Sequence, residues 1–229
     1  MCWNEHISLN TFLFSSFVLG LIAYNNAYTS YKTPELNIFA YLFAMSFIAM
    51  QLAEFFLWRN LKNAWYNTAF SIAAMLVLFI QPIASFFLII NNRPLTKILL
   101  YLYLIIASIV LLSYILLYKG NPPHVTVSSF GHLHWQWCDK NPRFYLLLIT
   151  WFLFFLIPFF YNAFNDVSLT NPWIYILIFA ISSLFFIIKN YYKDGSFPSM
   201  WCWVINSIFI FYAARLLIYL PFCEKKSIC

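Results

Sequence analysis

The sequence predicts an all-α membrane fold: a bundle of seven transmembrane helices with one short β-hairpin in its longest loop. Three observations predict it. Apolar residues make up 63% of the chain and charged residues 9%, a balance far from that of soluble domains. The apolar residues fall into seven segments, each near the length of about 20 residues that a helix needs to cross a bilayer. The connections between them are short and polar, apart from 119–143. Backbone groups in lipid must be satisfied within the segment, so spans this apolar are helices. No room remains for a soluble domain, and residues 1–229 read as one polytopic membrane domain.

The first span lies near 8–28. It lacks a basic start and has no small-x-small site before Tyr28, so it is expected to stay as a helix and not to be cleaved as a signal peptide. The second, near 36–58, carries Gln51, Glu54 and Trp58 close to its end. The third, near 67–91, contains Gln81-Pro82, where the proline is expected to kink the helix and Gln81 to help satisfy the disturbed backbone. The fourth, near 95–118, and the sixth, near 172–189, hold no charge in mid-span, which argues against a chain of proton relays. The fifth lies near 144–164. The seventh, near 200–222, opens with Trp201-Cys202 and carries Asn206 and Arg215. It has no lysine to form a retinal Schiff base, so a rhodopsin reading is excluded. Arg215 lies near the opposite surface and is expected to snorkel to headgroups.

In the long loop, Asn121-Pro122-Pro123 breaks the helix before it. His124–Val127 and Leu133–Trp137 then read as short strands about a Ser128–Gly131 turn. On an extended strand His132, His134, Gln136 and Cys138 share one face, and Leu133, Trp135 and Trp137 the other. The aromatic face is expected at the lipid interface, with the His/Cys face turned to the bundle or to water.

Alternating helix direction puts Cys2, His6, His132, His134, Cys138 and Cys202 near the membrane surface shared with Met1. Three readings of this set stay open. His-x-His with thiolates can hold zinc or copper, although neither CxxC nor HxxxH occurs. Two of Cys2, Cys138 and Cys202 can pair as a disulfide if that surface faces an oxidising compartment. Otherwise the histidines are ordinary hydrogen-bonding groups. Cys223 and Cys229 fall on the other side, open to acylation.

Gln51, Glu54 and Trp58 stand at i, i+3 and i+7, one stripe of a helix. An ionisable residue inside a span costs about 2.5–3.5 kcal/mol on insertion scales and so faces protein or a wet cavity. A carboxylate hydrogen-bonded to a neighbouring element and a transport or catalytic group are both compatible with the pattern. Net charge is +6, but the basic residues are scattered, so the expected partners are anionic headgroups and further copies of the chain, with no nucleic acid. Of the 13 Lys and Arg, seven fall on the Met1 side and six on the other, so the charge rule does not orient the chain. No P-loop, HExxH or TVGYG-like filter is present. The Phe, Ile, Tyr and Asn enrichment suits an AT-rich genome such as that of a large virus or a protist, which would make the membrane a host or virion one.

Met1-Cys2-Trp3, the Gln51-x-x-Glu54-x-x-x-Trp58 stripe, Gly131-His132-Leu133 and Trp201-Cys202 together resemble a family of multi-pass membrane proteins found in bacteria, algae and large DNA viruses. Members begin Met-Cys-Phe/Trp and carry a Gln-x-x-Glu…Trp stripe on the second span. The chain departs from the pattern at Asn4, where Ser is common, and at Phe55, where Gly often follows the Glu. The resemblance implies the architecture and no established activity. It singles out Cys2, Gln51, Glu54, Trp58, His132, Trp201 and Cys202. The expected function is that of a non-enzymatic channel-like, transporter-like or membrane-organising protein with a polar site formed by the second span and the hairpin loop. The alternative is a metal-dependent or thiol redox enzyme built on the Cys/His surface.

Overall fold

The computed structural model describes residues 4–30, 38–89, 91–117, 123–136, 142–165 and 172–222. The order is α1 (Glu5–Tyr28), α2 (Ile38–Arg59), α3 (Ala64–Phe86), α4 (Arg93–Leu117), β1 (Val125–Val127), β2 (Leu133–Trp135), α5 (Pro142–Asn165), α6 (Pro172–Tyr191), α7 (Phe197–Asn206) and α8 (Ile208–Ala214), followed by a π-helical turn at Arg215–Tyr219. Among the described residues, seven helical stretches are long and apolar enough to span a bilayer, the last of them running from Phe197 to Phe222. The chain is a multi-pass membrane protein. Phe17, Tyr28, Leu42, Ile109, Phe185 and Ile218 stand exposed on the outside of the bundle, an apolar surface that suits contact with lipid.

Local chemistry sets the helix ends and moves several of them outward from the apolar segments. The Asn4 side chain accepts from the Ile7 N–H and starts α1 at Glu5, and Asn63 does the same for Tyr66 at α3. Asn92 accepts from Leu95 N–H at the start of α4. Proline opens α5 and α6, where its missing N–H and fixed φ cost nothing. At the end of α3 the Thr96 hydroxyl donates to the carbonyls around Phe86 and Ile89, and Asn162 of α5 donates to Leu88 O. The seventh span is divided. Ser207 separates α7 from α8, with the Asn206 amide bonded to Cys202 O at 2.8 Å and directed at Phe47 O at 3.5 Å.

Pro82 lies inside α3 and has no N–H for the carbonyl of Leu78. Trp151 of α5 supplies the donor instead, with Nε1 2.6 Å from Leu78 O. This corrects the expectation for Gln81. Its side chain is fully buried, but neither of its polar atoms has a hydrogen-bond partner among the described residues.

The main core joins α2, α3, α5, α6 and α7 around Phe47, Met50, Leu57, Phe155, Met200 and Trp201. Trp151 stacks on Phe155, and both rings meet Trp201 edge-on at centroid distances of 5.4 and 5.3 Å. Val125, Leu133 and Trp135 of the hairpin belong to this same core.

Candidate polar site beneath the hairpin

The antiparallel hairpin pairs Val125 with Trp135, Thr126 with His134 and Val127 with Leu133. Gly131, at φ 76°, turns the chain, and Ser128 N–H donates to His132 O to close the turn. Leu133 and Trp135 are fully buried. The strand alternation was legible, but the apolar face enters the bundle core and not the lipid interface expected for it, while on the other face His132 is buried, His134 half-buried and Gln136 exposed. Two fully buried apolar side chains and Val125 outweigh the interface preference of a single indole.

Polar contacts anchor the hairpin on two sides. The Asn67 side chain near the start of α3 donates to Val125 O and accepts from Val125 N–H, both at 2.9 Å, so its amide pairs with the free edge of β1 as a neighbouring strand would. On the other side the chain between α6 and α7 receives β2. Trp135 N–H donates to Gly195 O, Trp135 Nε1 donates to Ser199 Oγ at 2.7 Å, and His134 Nδ1 lies 2.7 Å from Asp194 O. Gly195 has φ 66°. His132 is buried against Tyr191, ring centroids 5.6 Å apart. Burial holds its pKa below the usual imidazole value, with Asp194 pulling weakly the other way.

Between these anchors α2 and α7 bring their polar residues together. Gln51 and Glu54 are both fully buried, and Gln51 Nε2 donates to Glu54 Oε2 at 3.2 Å. Cys202, also buried, lies within electrostatic reach of the Glu54 carboxylate. Trp201 is buried in the aromatic cluster, and its Nε1 has no acceptor among the described residues. The same holds for Trp58 Nε1, one turn beyond Glu54 on α2, and for the Asn206 Oδ1 as an acceptor. Trp58 also borders a wide hollow of about 800 Å3 at the α2–α3 turn, lined by residues 58–65 including Arg59 and Lys62.

Of the residues singled out in the sequence, Gln51, Glu54, Trp201 and Cys202 thus share one buried layer, with Trp58 at its outer edge. The Cys/His set is only partly gathered. His6 is exposed on α1 beside Glu5, which also faces Arg59 at 3.7 Å. His132 and His134 are engaged in holding the hairpin. Cys2 and Cys138 lie outside the described residues, and among the described residues no three His, Cys, Asp or Glu side chains are arranged to hold a metal ion.

Sequence reasoning missed Asn67, Ser199 and Gly195. An Asn inside an apolar segment signals a polar contact at Asn67, and Asp194-Gly195 is a turn dipeptide. Ser199 carries no comparable signal. Comparison with protein-family models, with curated proteins and with solved structures finds no match for this chain.

Proposed function

We propose that this chain is a non-enzymatic, channel- or carrier-like membrane protein that binds a small cation, the proton included, at Glu54. The observation that carries the reading is a fully buried carboxylate within a span, bonded to Gln51. Holding a carboxylate there is costly, and such residues face ion pathways or bound solutes by default. Aromatic faces at Phe47 and Trp201 and the Asn206 carbonyl oxygen add cation-compatible groups along the same helices. In this reading the cation approaches from the Met1 side, where a hollow borders Trp58 one turn beyond Glu54, and the hairpin is the lid. The resemblance carried by Cys2, Gln51, Glu54, Trp58, His132, Trp201 and Cys202 favours the same surface.

The test is flux into liposomes holding the purified protein, read with an entrapped pH dye under an imposed potassium diffusion potential and repeated with sodium. Wild type carries protons or sodium, and Glu54→Gln lowers the flux roughly tenfold or more, the loss of one charge-assisted contact. Glu54→Asp retains part of it. Flux that is equal in wild type and Glu54→Gln contradicts the reading, and near-stoichiometric zinc or copper on the purified protein would favour the metal enzyme instead.

A further inference from the structure

A second site lies away from Glu54, on the lipid-facing side of the last span. Residues Tyr175, Ile176 and Phe179 of α6, with Ser207, Ile208, Phe211, Tyr212 and Arg215, form a groove of about 520 Å3. Its floor is shared with an inner apolar cavity of about 90 Å3, because Ile176, Phe179, Ile208 and Tyr212 line both. Tyr175 and Phe211 stand well exposed at its rim, so the groove opens to the bilayer and not to the bundle interior.

We propose that this groove binds one anionic phospholipid of the leaflet opposite Met1, with its phosphate on Arg215 and one acyl chain along α6 and α8. Three features of the groove argue for that occupant. Arg215 is the sole charged side chain between Phe197 and Phe222. It lies about seven residues before the end of that span, roughly 10 Å by helical rise, a depth at which a guanidinium draws a phosphate inward. From Arg215 the groove runs back to Ser207 near the bilayer centre, eight residues or roughly 12 Å, and this stretch is lined by apolar and aromatic side chains.

The backbone supports the same end of the groove. The helix widens into a π turn that begins at Arg215, a distortion that recurs where helices serve a ligand. The planar fork of an arginine matches two phosphate oxygens, and in a low dielectric a net negative lipid gains more from it than a zwitterionic one. The site uses α6, α8 with Ser207, and the start of the π turn, and is independent of the cation reading at Glu54.

Native mass spectrometry tests this on protein released from vesicles of equal phosphatidylcholine and phosphatidylglycerol. One phosphatidylglycerol stays bound to wild type. Arg215→Gln lowers its retention roughly tenfold, as expected for loss of a bidentate phosphate contact. Ile208→Trp, which fills the groove and leaves the arginine, lowers it as well. Lys97→Gln, a basic residue toward the same surface on α4, leaves retention unchanged. Helix content by circular dichroism confirms that each variant is folded. Equal retention by Arg215→Gln, or equal retention of phosphatidylcholine by wild type, overturns the proposal. Loss in Arg215→Gln with full retention in Ile208→Trp overturns the groove and leaves headgroup contact alone.

Discussion

At Gly195 the backbone takes φ 66°, and an added Cβ would lie 2.5 Å from Nδ1 of His134. Two separate costs therefore meet at one residue. The left-handed conformation costs a non-glycine residue about 1–2 kcal/mol, and the clash with the imidazole adds to it. Gly195→Ala is expected to destabilise the protein in detergent unfolding by more than the conformational cost alone. In a His134→Ala background the same substitution costs less, because the ring it meets is gone, while the φ cost remains. Equal costs in the two backgrounds would mean that β2 does not pack against this turn. Much of the site was legible at this scale. Gln51, Glu54 and Trp58 could be grouped because helical spacing is rigid. The partner they meet across the bundle, Cys202, followed from helix direction. Asn67 was not read as a docking group, because nothing local to α3 announces which loop its amide will meet.

At the level of elements, the proline of α3 shows how a span absorbs a broken backbone bond. Leu78 O is left without its helical donor by Pro82 and is served by the Trp151 indole. Trp151→Phe keeps the ring and removes the donor, and its cost is expected at about 1–3 kcal/mol for a buried carbonyl left unpaired. In a Pro82→Ala background the helix regains an N–H at position 82, and the same change should cost much less. A cycle in which both backgrounds lose the same stability would show that the indole bond carries no weight. The spans and the hairpin were readable because both rest on periodicity. The hairpin's facing was not, since alternation defines two faces without saying which one the bundle takes up. The break at Ser207 and the π turn at Arg215–Tyr219 carry no glycine or proline within them. At the first the Asn206 amide reaches toward Phe47 O, and just past the second Pro221 has no N–H for the carbonyl of Leu217.

Across the whole molecule, seven spans enclose one main aromatic core, and the hairpin closes that core on the Met1 side. The bundle could be read from composition because lipid demands long apolar helices. Its orientation could not, because the basic residues are divided almost evenly between the two sides. The proposed function requires that the buried Gln51/Glu54/Cys202 layer be reached from one side when the hairpin lifts. Cys202, the free buried cysteine among the described residues, reports on that layer directly. The decisive measurement is its rate of reaction with a small, charged methanethiosulfonate in liposomes, in a variant with Cys2, Cys138, Cys223 and Cys229 replaced by serine. Slow reaction is expected with the hairpin intact. Asn67→Leu, which removes both bonds to Val125, should raise the rate roughly tenfold while the thermal unfolding midpoint stays above the assay temperature. A rate in Asn67→Leu equal to that of the parent, or no reaction in either protein, would contradict a site gated by the hairpin and leave Glu54 as a sealed structural carboxylate.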